Sequence, residues 1–308
     1  MKHDKYWIAL DQVKGVGPAM MREIHDALAG PGLSIVDLFS LSAEEMRAEL
    51  SLREQAASAV EAARGRLSLV EEGYFKLIDA GIEIVLFFEE GYPERLSRLM
   101  KNEAPSMLFT YGNRSLFGEK AAAVFGERSV SEKGELIAYH SAMELARHRI
   151  VVVSGFARGV GLIAHRSALE SGGGTIGVLP YGFSWLKMPD SLKEVYNPDS
   201  MLLVSPFGPE IEYSTFNAYR RNRLACALSR AVFIVESPAE GGIFEAAKSA
   251  SSLGVPLYAT EYADYPDTAA GNPSIMREFG AKPVRGRIVN NALLPNLDRL
   301  IADVKFGE

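Results

Sequence analysis

From Ala121 onward the chain alternates short unbroken apolar runs with longer stretches whose apolar residues recur at helical spacing. The runs are Ala121–Phe125, Ile150–Val153, Thr175–Leu179, Met201–Val204, Ala231–Val235 and Pro256–Ala259, most of them followed by glycine or polar residues. Runs that do not alternate with polar residues fit strands covered on both faces, and the stretches between them fit helices. Strand and helix in alternation predict right-handed crossovers. The expected fold is therefore α/β, a Rossmann-like, mostly parallel sheet with helices on both faces.

Ahead of this region the pattern changes. Lys5–Leu28 reads as two short helices around Gly15-Val16-Gly17-Pro18, with Pro18 at a helix start. Ser42–Ala63 continues as amphipathic helices, and Ser42 followed at helical spacing by Glu45 forms a capping box. The spacing predicts a small N-terminal helical domain over residues 1–70, and its Lys14–Gly17 turn between helices resembles the SAM or helix-hairpin-helix type. Residues 71–120 read as a connecting segment with short strands at Ile82–Phe88 and Met107–Tyr111, interrupted by Gly91-Tyr92-Pro93. Residues 121–308 form the Rossmann-like domain.

The stretch Ile150–Leu169 joins a buried strand, a turn with Gly155, Gly159 and Gly161, and the start of a helix. Glycines let a backbone approach a ligand, and a helix start presents unpaired N–H groups, so the turn suits an anion such as phosphate. Its glycines match neither the dinucleotide fingerprint nor a Walker A loop, and tight packing alone would also account for small residues here. In open parallel sheets ligands sit beyond the carboxyl ends of the strands. That rule places Gly126-Glu127-Arg128, Ser154–Arg158, Tyr181-Gly182-Phe183, Ser205, Glu236-Ser237 and Glu261 on one rim. Asn222 and Arg223 read as the start of a helix with Leu224, Ala227 and Leu228 on its apolar side, its N-terminus directed at the same rim.

Composition narrows the class. The 308 residues are 47% hydrophobic and 23% charged, as in an ordinary globular chain, and nothing near the start or beyond approaches a membrane-spanning run. The formal net charge of −6 argues against a surface that coats nucleic acid throughout, but Arg220, Arg221, Arg223 and Arg230 gather in one short segment and leave room for a local groove. Cys226 is the single cysteine, so neither a disulfide framework nor a cysteine-based zinc site is expected. His165 has no partner at ligand or catalytic spacing and reads as a hydrogen-bonded helix residue that orders the turn.

These residues carry a resemblance. Ser154–Leu169, SGFARGVGLIAHRSAL, resembles the signature S-G-[LM]-A-x-G-[IV]-D-x-x-A-H-x-x-A-L of the DNA-processing protein A family (DprA or Smf), with Gly161 where the family has Asp. Ala121–Glu135 resembles its G-[ST]-R strand end, Tyr219–Ser237 its R-N-R-[IL] segment, and Gly271–Val284 its closing G-x-N-x-L-I-x-x-G-A. The resemblance implies a single-stranded DNA-binding protein that makes and breaks no bond, needs no cofactor or metal, and loads the RecA recombinase onto incoming DNA in natural transformation. It further implies a cytoplasmic homodimer, with DNA phosphates held by Gly126, Arg128, Ser154, Gly155, Phe156, Arg158, Gly159, Arg221, Asn222 and Arg223. Phe156, Phe183 and Tyr219 are the rings nearest the rim for stacking bases.

Three departures from the family pattern stand beside it. Glu127 replaces a small hydroxyl residue, which leaves pairing of Arg128 with Glu127 or Glu132 as the alternative to a phosphate contact. Gly241-Gly242-Ile243-Phe244-Glu245 replaces S-G-[ST]-L-x-T-A, and faintly echoes the P-G-G-x-G-T-x-x-E of cytokinin-activating phosphoribohydrolases. A nucleotide-binding sensor or a phosphoribohydrolase-like protein using the same pocket is the alternative reading. Many family members end in a winged-helix domain, whereas Asn291–Lys305 has room for one helix, so a divergent member without that domain is expected.

Overall fold

The computed structural model describes residues 3–289 and 292–307. Two compact units divide it, Met1–Tyr92 with Lys101–Phe109, and Pro93–Met100 with Thr110–Glu308. In the first unit, helices α1 (Asp4–Asp11), α2 (Pro18–Ala29), α3 (Ile35–Leu38), α4 (Ala43–Leu50), α5 (Glu54–Arg64) and α6 (Leu67–Asp79) precede strand β1 (Glu83–Leu86). Pro18 occupies the first turn of α2, where a missing N–H leaves nothing unpaired. The capping box at α4 forms: Ser42 N–H donates to Glu45 Oε2 at 2.7 Å, and Glu45 N–H donates to Ser42 Oγ at 3.2 Å. Trp7, Leu10, Met21, Ile24, Met46 and Val60 make the core of this unit.

Helix α7 (Glu94–Met100) belongs to the second unit, and β2 (Met107–Gly112) begins in the first and ends in the second. There follow β3 (Ala121–Phe125), α8 (Glu132–Arg147), β4 (Val151–Gly155), α9 (Val160–Glu170), β5 (Thr175–Val178), α10 (Asp190–Lys193), β6 (Met201–Ser205), α11 (Thr215–Leu228), β7 (Ala231–Ile234), α12 (Gly242–Ser252), β8 (Leu257–Thr260), α13 (Asn272–Phe279) and β9 (Lys282–Val284). A hairpin, β10 (Gly286–Val289) and β11 (Ala292–Pro295), and helix α14 (Asp298–Phe306) complete it. The six apolar runs of the sequence are β3 to β8, with ends displaced by a residue at most except at β4, which runs two residues further, to Gly155.

Strand order in this unit is β6-β5-β4-β3-β7-β8-β9, each parallel to its neighbours. The chain enters at β3, moves outward to β6, and returns on the other side of β3 with β7. Crossovers therefore leave in opposite directions at β3 and β7, which opens a crevice above their carboxyl ends. Helices α8, α9 and α14 cover one face, where Ala138, Leu145, Ala164 and Leu300 pack on Val124, Val152 and Phe233. Helices α11 and α12 pack together and cover the strands from the opposite side. Among the described residues no helix is long and apolar enough to cross a membrane.

Two elements differ from the sequence reading. Helix α11 starts at Thr215, one and a half turns or more before Asn222, because the Ser214 hydroxyl caps it by accepting from Asn217 N–H at 3.1 Å. The hairpin β10–β11, with Ile288 opposite Leu293, fills part of the stretch expected to hold only a helix, and α14 starts at Asp298. Asn291, where that helix was expected to begin, lies outside the described residues.

Candidate functional site

Above the carboxyl ends of β3 and β4, four segments of the second unit line a cavity of about 180 Å³. Gly126, Glu127 and Arg128 follow β3; Ser154 and Gly155 end β4, Arg158 lies in the turn after it, and Gly161 is in the first turn of α9. Tyr213, Tyr219, Arg221 and Asn222 come from α11 and its approach, and Gly242 and Ile243 from the start of α12.

The turn after β4 is shaped by backbone constraints. Ser154 Oγ donates to Val124 O at 2.7 Å and so ties β4 to β3 at the cavity floor. Gly159 has φ +75°, and a Cβ there would lie 2.2 Å from Glu127 O. Only glycine lets the turn pass this close to the end of β3 and enter α9, where Val160 N–H donates back to Glu127 O at 3.3 Å.

Arg221 is the decisive side chain. It is 7% exposed, and its Nη1 donates to Val178 O at 3.2 Å while Nε finds no acceptor. No carboxylate among the described residues pairs with it, and burial pulls its pKa down to about 10, which still leaves it charged at neutral pH. Its guanidinium fills the space beside Gly155, where a Cβ would come within 1.6 Å of Nη1. A buried cation without a protein counter-charge is rare and costly unless an anion completes the site.

Two more cations border the opening. Arg128 is exposed, donates through Nη2 to Tyr213 Oη at 3.0 Å, and lies 5.7 Å from that ring's centroid; it pairs with neither Glu127 nor Glu132. Arg158 is exposed and makes no ion pair among the described residues. Asn222 is buried and donates to Gly242 O at 3.0 Å, which holds α11 to the start of α12.

The cavity thus brings together Gly126, Arg128, Ser154, Gly155, Arg158, Arg221 and Asn222 of the residues singled out in the sequence. Three stand elsewhere. Phe156 is 6% exposed and packs 5.9 Å from the His165 ring, because the chain after β4 turns its side chain into the core. Gly159 shapes the turn from behind it. Arg223, one position beyond Asn222 on α11, is directed toward α12, where Nη1 donates to Ser252 Oγ at 3.1 Å. Phe183 is likewise buried. Tyr213, Phe216 and Tyr219 are the exposed rings near the opening, at 49%, 68% and 38%. The capping Ser214 was the one sequence signal that would have put Phe216 and Tyr219 on the first turns of α11 and Tyr213 just ahead of them.

Other motif residues are architectural. His165 is buried, with Nδ1 2.7 Å from Thr175 Oγ1; that hydroxyl donates to Val152 O, so the imidazole must donate. Burial and the Arg221 charge push His165 down to about 3, leaving it neutral. Glu236 is fully buried at the start of α8, where it accepts from Ser131 N–H at 2.9 Å and Tyr262 Oη at 2.7 Å, so the chain supplies its own anion at that helix start. Asn272 joins the ends of β7 and β8 by donating to Val235 O and Thr260 O. Glu245 does not line the cavity and sits 3.8 Å from Lys248. Among the described residues no group of His, Cys, Asp and Glu could hold a metal ion.

The family model for DNA recombination-mediator protein A matches residues 83–291. The chain belongs to this family. The DNA processing protein DprA of Streptococcus pneumoniae is 30% identical over 197 residues, which span 61% of this chain and 68% of the relative. That of Bacillus subtilis is 26% identical over 208 residues, 67% of this chain and 69% of the relative. The crystal structure of the pneumococcal protein superposes with a TM-score of 0.73 at 24% identity, covering 92% of this chain and 95% of that one. A Helicobacter pylori DNA processing protein A, whose structure was described for its single-stranded DNA binding mode, gives 0.57 at 23% identity over 66% of this chain and 90% of its own. The fold of this DprA-family chain is the Rossmann-like one that the strand pattern predicted.

Proposed function

We propose that this protein binds single-stranded DNA through the cavity above β3 and β4 and, as a homodimer, delivers the strand to a RecA-type recombinase during natural transformation. The observation that carries the reading is the buried Arg221 guanidinium, without a carboxylate partner among the described residues and flanked at the opening by Arg128 and Arg158. A sugar-phosphate backbone supplies the missing anion, and guanidinium forks bind phosphate oxygens two at a time. Membership in a recombination-mediator family and the strand binding described for the H. pylori relative support the same reading. Tyr213, Phe216 and Tyr219 offer ring faces to bases, worth about 1–3 kcal/mol per stacked base, so sequence preference should be slight. The neutral, enclosed His165 and the remote Glu245 favour binding without a bond-making step over hydrolysis.

Fluorescence anisotropy with oligo-dT and with duplex of equal length tests this. Single strands should bind more tightly, and log affinity should fall with log salt at a slope of roughly −2, from about −0.7 for each of three phosphate contacts. Affinity that ignores salt, or equal affinity for duplex, would remove the assignment. Arg223→Ala should shift dT affinity by less than about threefold, since Arg223 faces α12; a loss as large as that of an Arg158 variant would place it in the site after all.

A further inference from the structure

Charge and volume at the cavity distinguish between two kinds of phosphate. Arg128, Arg158 and Arg221 line it against Glu127 alone, so three guanidinium groups and one carboxylate leave a formal surplus of two positive charges. An internal phosphodiester brings one negative charge. A phosphomonoester brings about 1.5 to 2 at neutral pH. At about 180 Å³ the cavity is smaller than the roughly 300–1,000 Å³ typical of pockets that enclose a whole small molecule. One phosphate and part of its sugar would fill this space, and the rest of a bound strand would run across its opening past the exposed Arg128 and Arg158.

Gly161 reinforces the asymmetry. The family signature carries Asp at this position, which would remove one unit of the positive surplus. Here a Cβ at residue 161 would lie 2.3 Å from Gly155 O, so this backbone leaves no room for any side chain. The start of α9 therefore lies against the end of β4, and residue 161 adds no carboxylate to the wall. Arg221 lines the cavity while nearly buried and without a carboxylate partner among the described residues, so this wall calls for a strongly charged, compact anion.

We infer that the cavity seats the terminal phosphomonoester of a DNA strand, and that this protein recognises phosphorylated strand ends in preference to internal phosphates. The inference rests on the strand-binding reading above and names the part of the strand that the cavity takes. The exposed rings at the start of α11 would then receive the bases nearest that end.

The test compares dT oligonucleotides bearing a 5′-hydroxyl, a 5′-phosphate, a 5′-phosphate methyl ester or a 3′-phosphate, with free dTMP as a further probe. A phosphomonoester at one end should lower Kd at least tenfold relative to hydroxyl ends, and its methyl ester should lose most of that gain. Arg158→Gln, an exposed and fold-tolerant change, should reduce the discrimination to below about threefold. If all oligonucleotides bind within twofold of one another, strand binding survives and end recognition falls. If no oligonucleotide binds but dTMP does, the phosphomonoester site stands and the strand reading falls. If neither binds, both fall.

Discussion

Replacing Arg221 with Met is expected to raise the melting temperature of the ligand-free protein while lowering its affinity for oligo-dT by two orders of magnitude or so. The two effects have one cause. Arg221 is buried and charged, and among the described residues its Nε has no acceptor while Nη1 donates to Val178 O. Exchanging buried charges for apolar side chains of similar volume has stabilised other proteins by about 1–4 kcal/mol. For a domain of this size that amounts to a few degrees. Val178 O keeps a partner in Phe156 N–H at 3.4 Å, so the exchange orphans no carbonyl. Binding moves the opposite way, because a phosphate brought to the cavity floor loses its only buried counter-charge, a loss of about 2–5 kcal/mol or roughly thirty- to several-thousand-fold. Differential scanning fluorimetry and anisotropy on one preparation read both. A lower melting temperature would show that Arg221 serves the fold, and unchanged affinity would exclude it from the site.

That opposition explains which parts of the molecule could be read in the sequence. Strands β3 to β8 were legible because buried parallel strands need unbroken apolar runs, and Val151-Val152-Val153 has few other ways to be satisfied. The start of α11 was not, because helix reading follows an apolar stripe and this helix has none before Leu224. Its inward face over that first half is polar, Arg221 and Asn222, the former directed at a ligand cavity and the latter at Gly242 O. Where function replaces apolar packing, hydrophobic periodicity goes silent. The aromatics failed for a related reason: position after a strand places the backbone on the rim, while the direction of the side chain depends on local turn geometry. Phe156 turns inward to His165, and a Cβ on Gly177 would touch its ring at 3.1 Å, so its contact surface is core. Glu236 also follows a strand, yet Ser131 and Tyr262 draw it under α8.

Asn272→Leu should be the most destabilising single change outside the cavity, costing about 3–5 kcal/mol while leaving oligo-dT affinity unchanged at temperatures where the variant is folded. Asn272 is fully buried, and its amide closes three backbone groups at once: Oδ1 accepts from Ser237 N–H, and Nδ2 donates to Val235 O and Thr260 O, all at 3.0 Å. These groups lie where β7 and β8 stop bonding each other, so no ladder partner replaces the amide. Leucine matches the volume but pairs none of them, and each buried backbone group left unsatisfied costs about 1–3 kcal/mol. Relaxation and entering water keep the sum near the lower end of that range. Asn272→Asp separates hydrogen bonding from packing, because it keeps the acceptor for Ser237 N–H and turns carboxylate oxygen toward two carbonyls that need a donor. It should therefore be at least as damaging despite near-identical shape. Urea unfolding monitored by circular dichroism gives both values, and a loss below about 1 kcal/mol for either variant would show that the ends of β7 and β8 are held by something other than this amide.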